Sequence, residues 1–185
     1  GLVKHYKEMS FFGFMQVLKN LKTIFSQIDE CKHAIEQFNP DVIILIDYPS
    51  FNMRIAKWAH KKGIKVYYYI APKVWAWKEW RVKSIRKYVD KVYTIFPFET
   101  EYFKGKGIQT TFCGNPLVDD IDQMRSKLPN REQFITQNNL DSRPIVALLA
   151  GSRVSEIRAN LPDMVALAKL FPNYQFIVTA VPWID

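Results

Sequence analysis

The chain has 185 residues, of which 48% are apolar and 15% aromatic, enough to build a sizeable core and too much for a disordered polymer. Its formal charge is +8, and residues 65–91 alone carry eight Lys or Arg against Glu79 and Asp90, a net +6 that points to an anionic partner: phosphate groups, nucleic acid or anionic lipid. Cys31 and Cys113 match no disulfide or zinc spacing, His5, His33 and His60 are scattered, no apolar run approaches the ~20 residues of a membrane span, and nothing at the start resembles a signal peptide. A reducing compartment, no metal site and at most peripheral membrane contact are the expectation.

From Gly13 to Phe38 apolar residues recur at three- and four-residue steps, the period of a helix, and Phe11, Phe12, Phe14 and Met15 crowd its amino end. "PDVIILIDYP" follows, a continuous apolar run of the kind found in a strand buried on both faces. A helical stretch from about Phe51 to Lys62 stops at Gly63, and "IKVYYYIAP" reads as a second strand. The next unit opens with a tryptophan-rich helix expected from about Trp75 to Tyr88 and passes into the strand "KVYTIFP". A fourth places a helix near Phe98 to Gly105 before the short strand "TTFCG". Strand and helix alternating through short Gly- or Pro-marked joints predict an α/β fold, a Rossmann-like parallel sheet with helices on both faces and ligands at the carboxyl ends of the strands.

The segment from Asn115 to Arg143 is more polar and reads as a helical connector. "PIVALLAGS" then starts a new strand-turn-helix unit, with a helix from about Val154 to Leu170 and the strand "QFIVTA" behind it. The expected division is a first domain over 1–125, a connector over 126–143 and a second domain beginning at 144. Because the chain opens at Gly1 and ends at Asp185 just past a strand-like run, a piece of a longer protein is expected.

Three stretches carry residues suited to chemistry. Asp47 stands at the end of an apolar strand, where a carboxylate could take a proton from a hydroxyl, or could simply cap the next turn. Gly151, Ser152 and Arg153 join a strand to a helix, a turn that suits a diphosphate through close backbone approach, free N–H groups and a guanidinium fork. An ordinary tight turn with Ser152 as N-cap is the plainer alternative. For the block containing Trp75, Trp77, Trp80 and Arg81, one reading buries Trp75, Val82, Ile85 and Val89 on one helix face and leaves the cations in solvent. Others make it the wall of a cleft, a surface in contact with lipid headgroups, or a nucleic-acid platform.

The segments "IDYPSFN" (46–52), "APKVWAWKEWRVKSIRKYVDKVYTIFPFE" (71–99), "GNPLVD" (114–119) and "LLAGSRVSEI" (148–157) occur in one order along the chain. Together they resemble the lipid-A-disaccharide synthases, bacterial glycosyltransferases of lipopolysaccharide biosynthesis, over nearly the whole length. The resemblance implies a glycosyltransferase B-type fold with two Rossmann-like domains, the first on the acceptor side and the second binding the nucleotide sugar across a cleft. It implies inverting, metal-independent transfer of 2,3-diacylglucosamine from a UDP-linked donor to 2,3-diacylglucosamine 1-phosphate, giving a β-1,6 disaccharide 1-phosphate and UDP, with no cofactor.

Carried over by position, Asp47 is the implied base, Gly151, Ser152 and Arg153 the diphosphate site, and Asn115 with the tryptophans and Arg81 the acceptor or lipid-facing wall. Phe14, Leu18, Leu21 and Phe25 fall on a helix associated with membrane contact. A peripheral protein on the cytoplasmic face of the inner membrane of a Gram-negative bacterium is implied, without nucleic acid, and an oligomer is compatible with it. The chain departs from the family pattern at Ser50, where many members have Asp, and at Ala150, where they have Pro; neither change removes an implied catalytic group. The family's glycine-rich opening and its uracil and ribose pocket are missing, so this polypeptide alone is expected not to turn over. A UDP-sugar epimerase of the same fold and a nucleic-acid-binding module are the alternatives.

Overall fold

The computed structural model describes residues 21–179. The chain divides into two units, one ending at Asp122 and the other beginning at Gln123. The first runs α1 (Leu21–Phe38), β1 (Val42–Ile46), α2 (Pro49–Lys61), β2 (Lys65–Tyr69), a 3₁₀ turn (Glu79–Arg81), α3 (Val82–Tyr88), β3 (Lys91–Thr94), α4 (Pro97–Gly105), β4 (Thr110–Phe112) and α5 (Pro116–Arg125), whose last turn passes the boundary. The strands form a parallel sheet in the order β1-β2-β3-β4, with Ile46 opposite Tyr69, Tyr69 opposite Tyr93 and Thr94 opposite Phe112. Every crossover therefore brings the chain back in the same direction, and the segments after each strand gather at one edge of the sheet.

Alternation along the strands decides which side chains make the core. Ile43 and Leu45, Val66 and Tyr68, and Val92 and Thr94 point to one face and are buried. Against them pack Phe51, Ile55, Ala56 and Ala59 of α2, Val82 and Ile85 of α3, Phe103 of α4 and Ile28 of α1. Ala56 and Ala59 are fully covered, and their small side chains let α2 lie close to β1 and β2. Pro49 and Pro97 each occupy the first turn of their helices, where the missing N–H is no loss. The β2 start is pinned by the Asp90 carboxylate, which accepts the Val66 N–H at 2.7 Å.

Two expectations need correction. The apolar run of β1 is not buried on both faces among the described residues: Ile44 and Ile46 are 61% and 56% exposed, because the helices of the core cluster all pack on the face of Ile43 and Leu45. Nor is the tryptophan segment a helix from Trp75. Residues 74–77 form turns, Lys78 takes a left-handed backbone (φ 57°), and the regular helix begins only at Val82. A left-handed residue cannot continue an α-helix, so the break at Lys78 separates Trp75 and Trp77 from the buried stripe of Val82, Ile85 and Val89, while Trp80 sits in the 3₁₀ turn that leads into α3.

The second unit contains α6 (Arg131–Gln137), β5 (Ile145–Leu148), α7 (Val154–Lys169) and β6 (Gln175–Val178), with β5 and β6 parallel. Asn130 and Gln133 cap α6 reciprocally at 2.9 and 3.0 Å. Buried Gln175 joins the start of β6 to the loop before β5 by donating to the Asp141 and Arg143 carbonyls and accepting the Asp141 N–H.

The core of the first unit sets its stability. Truncating the fully buried Ile85 to Ala should cost about 3 kcal/mol in urea unfolding, whereas Trp80→Ala, at an exposed side chain, should change it by less than about 0.5 kcal/mol.

Candidate active site

At the carboxyl end of β1 the chain makes an unusual corner. Asp47 and Tyr48 are both left-handed (φ 47° and 42°), and at the end of the adjacent strand β2 so is Ile70 (φ 54°). Such conformations cost of order 1 kcal/mol or more in residues with a Cβ and persist only where neighbours over-determine them. The neighbours here are identifiable. The Asp47 N–H donates to the Tyr69 carbonyl at 3.1 Å, continuing the β1-β2 ladder by one residue. The Asp47 carbonyl accepts from the Tyr68 hydroxyl at 2.7 Å and from the Asn52 amide at 2.8 Å, and the same amide reaches the Ile46 carbonyl at 2.9 Å.

Tyr68 is fully buried, and burial pushes its phenol far up, reinforced by the nearby Asp47 charge and only partly offset by Asn52 and Arg81. It therefore keeps its proton and remains a donor to the Asp47 carbonyl across the physiological range. The Asp47 side chain is left exposed at the strand tip and, among the described residues, takes no hydrogen bond. A carboxylate whose backbone is fastened by three bonds while its oxygens stay open is well arranged to receive a proton. It does not cap α2, whose N-cap residue is Tyr48, without a side-chain cap bond.

Trp75, Trp77, Trp80, Arg81 and Asn115 follow β2 or β4 and so leave the sheet at the same edge. Trp75 follows β2 and donates its indole N–H to Glu99 at 3.1 Å, with its ring edge-on to Phe98 at 4.9 Å. Glu99 is buried; its second oxygen accepts the Ile95 and Phe96 N–H groups, both at 3.2 Å, so one carboxyl holds the end of β3, the start of α4 and the tryptophan. Trp77 and Trp80 instead project outward, 61% and 65% exposed. Arg81 lies 5.5 Å from the Trp80 ring and is close enough to Tyr68 for its charge to be felt there. Asn115 follows β4, half-buried, and its side-chain oxygen accepts the Leu117 N–H at 3.1 Å, capping α5. On α1, Phe25 is exposed with Arg54 over its ring at 5.1 Å; Leu21 begins the helix, and Phe14 and Leu18 lie outside the described residues.

In the second unit the turn after β5 is built differently from expectation. Ser152 is not the N-cap of α7; Arg153 is, without a side-chain cap bond. The cap comes from inside the helix: Glu156 accepts the Ser152 N–H at 3.0 Å and pairs with Arg153 at 2.6 Å. Gly151 (φ 122°) has to lack a Cβ because one there would stand 2.6 Å from the Glu156 Cβ. The turn thus already holds an anion, its own carboxylate, against the helix start and the guanidinium.

Asn52, Tyr68 and Glu99 carry much of this geometry and were given no role by sequence reasoning, although Asn52 and Glu99 belong to the "YPSFN" and "PFE" motifs. Among the described residues no group of three His, Cys, Asp or Glu comes together as a metal site. Glu99→Ala should leave three N–H donors without their acceptor and cost about 3 kcal/mol in urea unfolding, with a red-shifted tryptophan emission; Glu99→Gln should recover part of it. The Ser152 and Arg153 contacts hold the Glu156 carboxyl below its ordinary 4.5. Its stabilisation of the helix start is therefore complete above about pH 4.5 and lost as the pH falls through the lower folded value. The Ser152 amide resonance should titrate with a midpoint below 4.5, and Glu156→Gln should abolish that titration.

A family model described as lipid-A-disaccharide synthetase matches residues 2–183. Among curated relatives, the lipid-A-disaccharide synthase of Geobacter metallireducens is 40% identical over 176 residues, 92% of this chain and 45% of the relative. Lipid-A-disaccharide synthase 1 of Legionella pneumophila is 40% identical over 171 residues, covering 90% and 44%, and the synthase of Acidobacterium capsulatum 36% identical over 180 residues, covering 95% and 44%. The chain thus spans under half the length of the curated relatives it matches. The match over nearly every residue, on an α/β unit whose family motifs gather at the carboxyl edge of a parallel sheet, makes this chain a member of the lipid-A-disaccharide synthetase family.

Proposed function

We propose that this chain supplies the acceptor-side domain and the start of the nucleotide-sugar domain of an enzyme that joins two diacylglucosamine units. The supporting observation is the exposed Asp47 carboxylate on a backbone fastened by Tyr68, Asn52 and the Tyr69 carbonyl. In the proposed reaction Asp47 takes the proton of the 6-hydroxyl of 2,3-diacylglucosamine 1-phosphate. The oxygen attacks the anomeric carbon of the UDP-linked 2,3-diacylglucosamine from the face opposite the nucleotide. The carbon–oxygen bond to the diphosphate breaks and UDP leaves with the electron pair, inverting the centre to a β-1,6 link.

Arg153, with the Gly151 and Ser152 backbone, is assigned to the departing diphosphate, whose charge its fork matches. In the structure that fork is engaged by Glu156, so a diphosphate has to displace a carboxylate that is tethered three residues away. Acceptor and donor carry acyl chains that remain in a bilayer, and no described helix is long and apolar enough to cross one. The enzyme is therefore assigned a peripheral position on the inner membrane.

In the full-length enzyme Asp47→Asn should lower kcat by about 10²–10⁴-fold, the usual contribution of a positioned base, with little change in unfolding temperature. Disaccharide formation from radiolabelled donor checks this, and activity within a factor of about three of wild type would remove Asp47 from the chemistry.

A further inference from the structure

The three clustered tryptophans have separate fates. Trp75 is used internally, its indole N–H on Glu99 and its ring against Phe98. Trp77 and Trp80 are not used this way: they are 61% and 65% exposed, and the left-handed turn at Lys78 between them holds both outside the core. Large exposed rings are costly in water unless something covers them. What surrounds them is cationic: the Lys78 ammonium lies 4.0 Å from the Trp77 ring centre, and the Arg81 guanidinium 5.5 Å from Trp80 and 5.9 Å from Trp77. Exposed Lys73 precedes the turn, and Lys83, Arg86 and Lys87 follow on α3, all exposed. Phe98, 51% exposed against Trp75, extends the apolar part of the surface.

We propose that Trp77 and Trp80, with Lys78 and Arg81, form an interfacial anchor that seats this edge of the sheet on an anionic lipid bilayer. Indole rings partition to the headgroup region, where their apolar body enters the acyl boundary and their N–H stays with polar groups. Lys and Arg beside them meet the headgroup phosphates while their aliphatic stems lie along the rings. The charge is of the right sign for phospholipids and is concentrated where the rings are. Single-stranded nucleic acid fits less well, since base stacking needs open ring faces and Lys78 stands over Trp77. The segment leaves the carboxyl end of β2, the strand paired in parallel with β1, so docking by this surface brings the strand tips to the bilayer. The inference depends on the surface and stands whether or not Asp47 is the base.

The test uses this chain with vesicles of phosphatidylcholine alone and with about one-third phosphatidylglycerol, in flotation and in fluorescence with brominated acyl chains. Wild type should float with the anionic vesicles only, lose binding as salt is raised, and show tryptophan quenching. Trp77→Ala/Trp80→Ala should bind about tenfold more weakly and lose most of the quenching at unchanged melting temperature, and Lys78→Ala/Arg81→Ala should lose the preference for anionic lipid. Undiminished flotation and quenching of the double tryptophan variant overturns the proposal. So does a Phe25→Ala variant that by itself abolishes binding, which would assign the contact to α1. Binding of single-stranded DNA without vesicle binding, lost in the double tryptophan variant, assigns the surface to nucleic acid and equally overturns it.

Discussion

The carbonyl of Asp47 is the point on which the first unit's chemistry turns. It accepts two hydrogen bonds, from a fully buried phenol and from a side-chain amide on the next helix, and those bonds hold two consecutive residues in left-handed backbone. Without them the chain leaving β1 has no reason to avoid the ordinary extended or right-handed regions, and the carboxylate would be carried elsewhere. The donors are rigid because their own supports are: Tyr68 sits in the middle of the sheet among Val66, Val92 and the α2 alanines, and Asn52 lies one residue past Phe51, which is buried. Core packing and site geometry are thus one construction, in which a strand-centre tyrosine spends its only polar atom on a strand-end backbone group.

The same arrangement recurs two strands away, at the end of β3, with different parts. Glu99 gathers two backbone N–H groups and an indole N–H into one buried carboxyl, and so fixes Trp75 relative to the end of β3. That frees the neighbouring rings from structural duty. In the second unit Glu156 plays the corresponding part at the start of α7, but at an exposed site where it pairs with the guanidinium assigned to substrate. A buried carboxyl makes a permanent brace, whereas an exposed pair is weak and open to exchange; on the proposed reading Glu156 holds the place of the donor diphosphate.

Much of this order is legible in the residues. The alternation of short apolar runs with 3.6-period stretches gives the parallel sheet, and the Asp after "VIILI" falls at a strand tip because the run is too short to reach further. Val82, Ile85 and Val89 read correctly as buried, whereas Trp75, expected on the same helix face, is 38% exposed and precedes the helix. The misreadings share a cause, in that local pattern does not contain backbone handedness or tertiary partners. Lys78 looks like any helix-compatible lysine, yet its positive φ ends the helical reading of the tryptophans. Ser152 has the chemistry of an N-cap, and Glu156 three residues into the helix takes the duty because its carboxylate reaches the Ser152 N–H and Arg153 together. The apolar run of β1 carries no mark of which face its neighbours cover, and Ile44 and Ile46 are exposed.

The most direct test of the central claim is the steady-state kinetics of Tyr68→Phe in the full-length enzyme, since this change deletes one buried hydroxyl whose bond is to the Asp47 carbonyl. Loss of its bond to the Asp47 carbonyl should lower kcat about tenfold, leave both KM values within about twofold, and reduce stability by only about 1 kcal/mol. A kcat equal to that of wild type would contradict it, because the backbone corner would then hold Asp47 without the phenol.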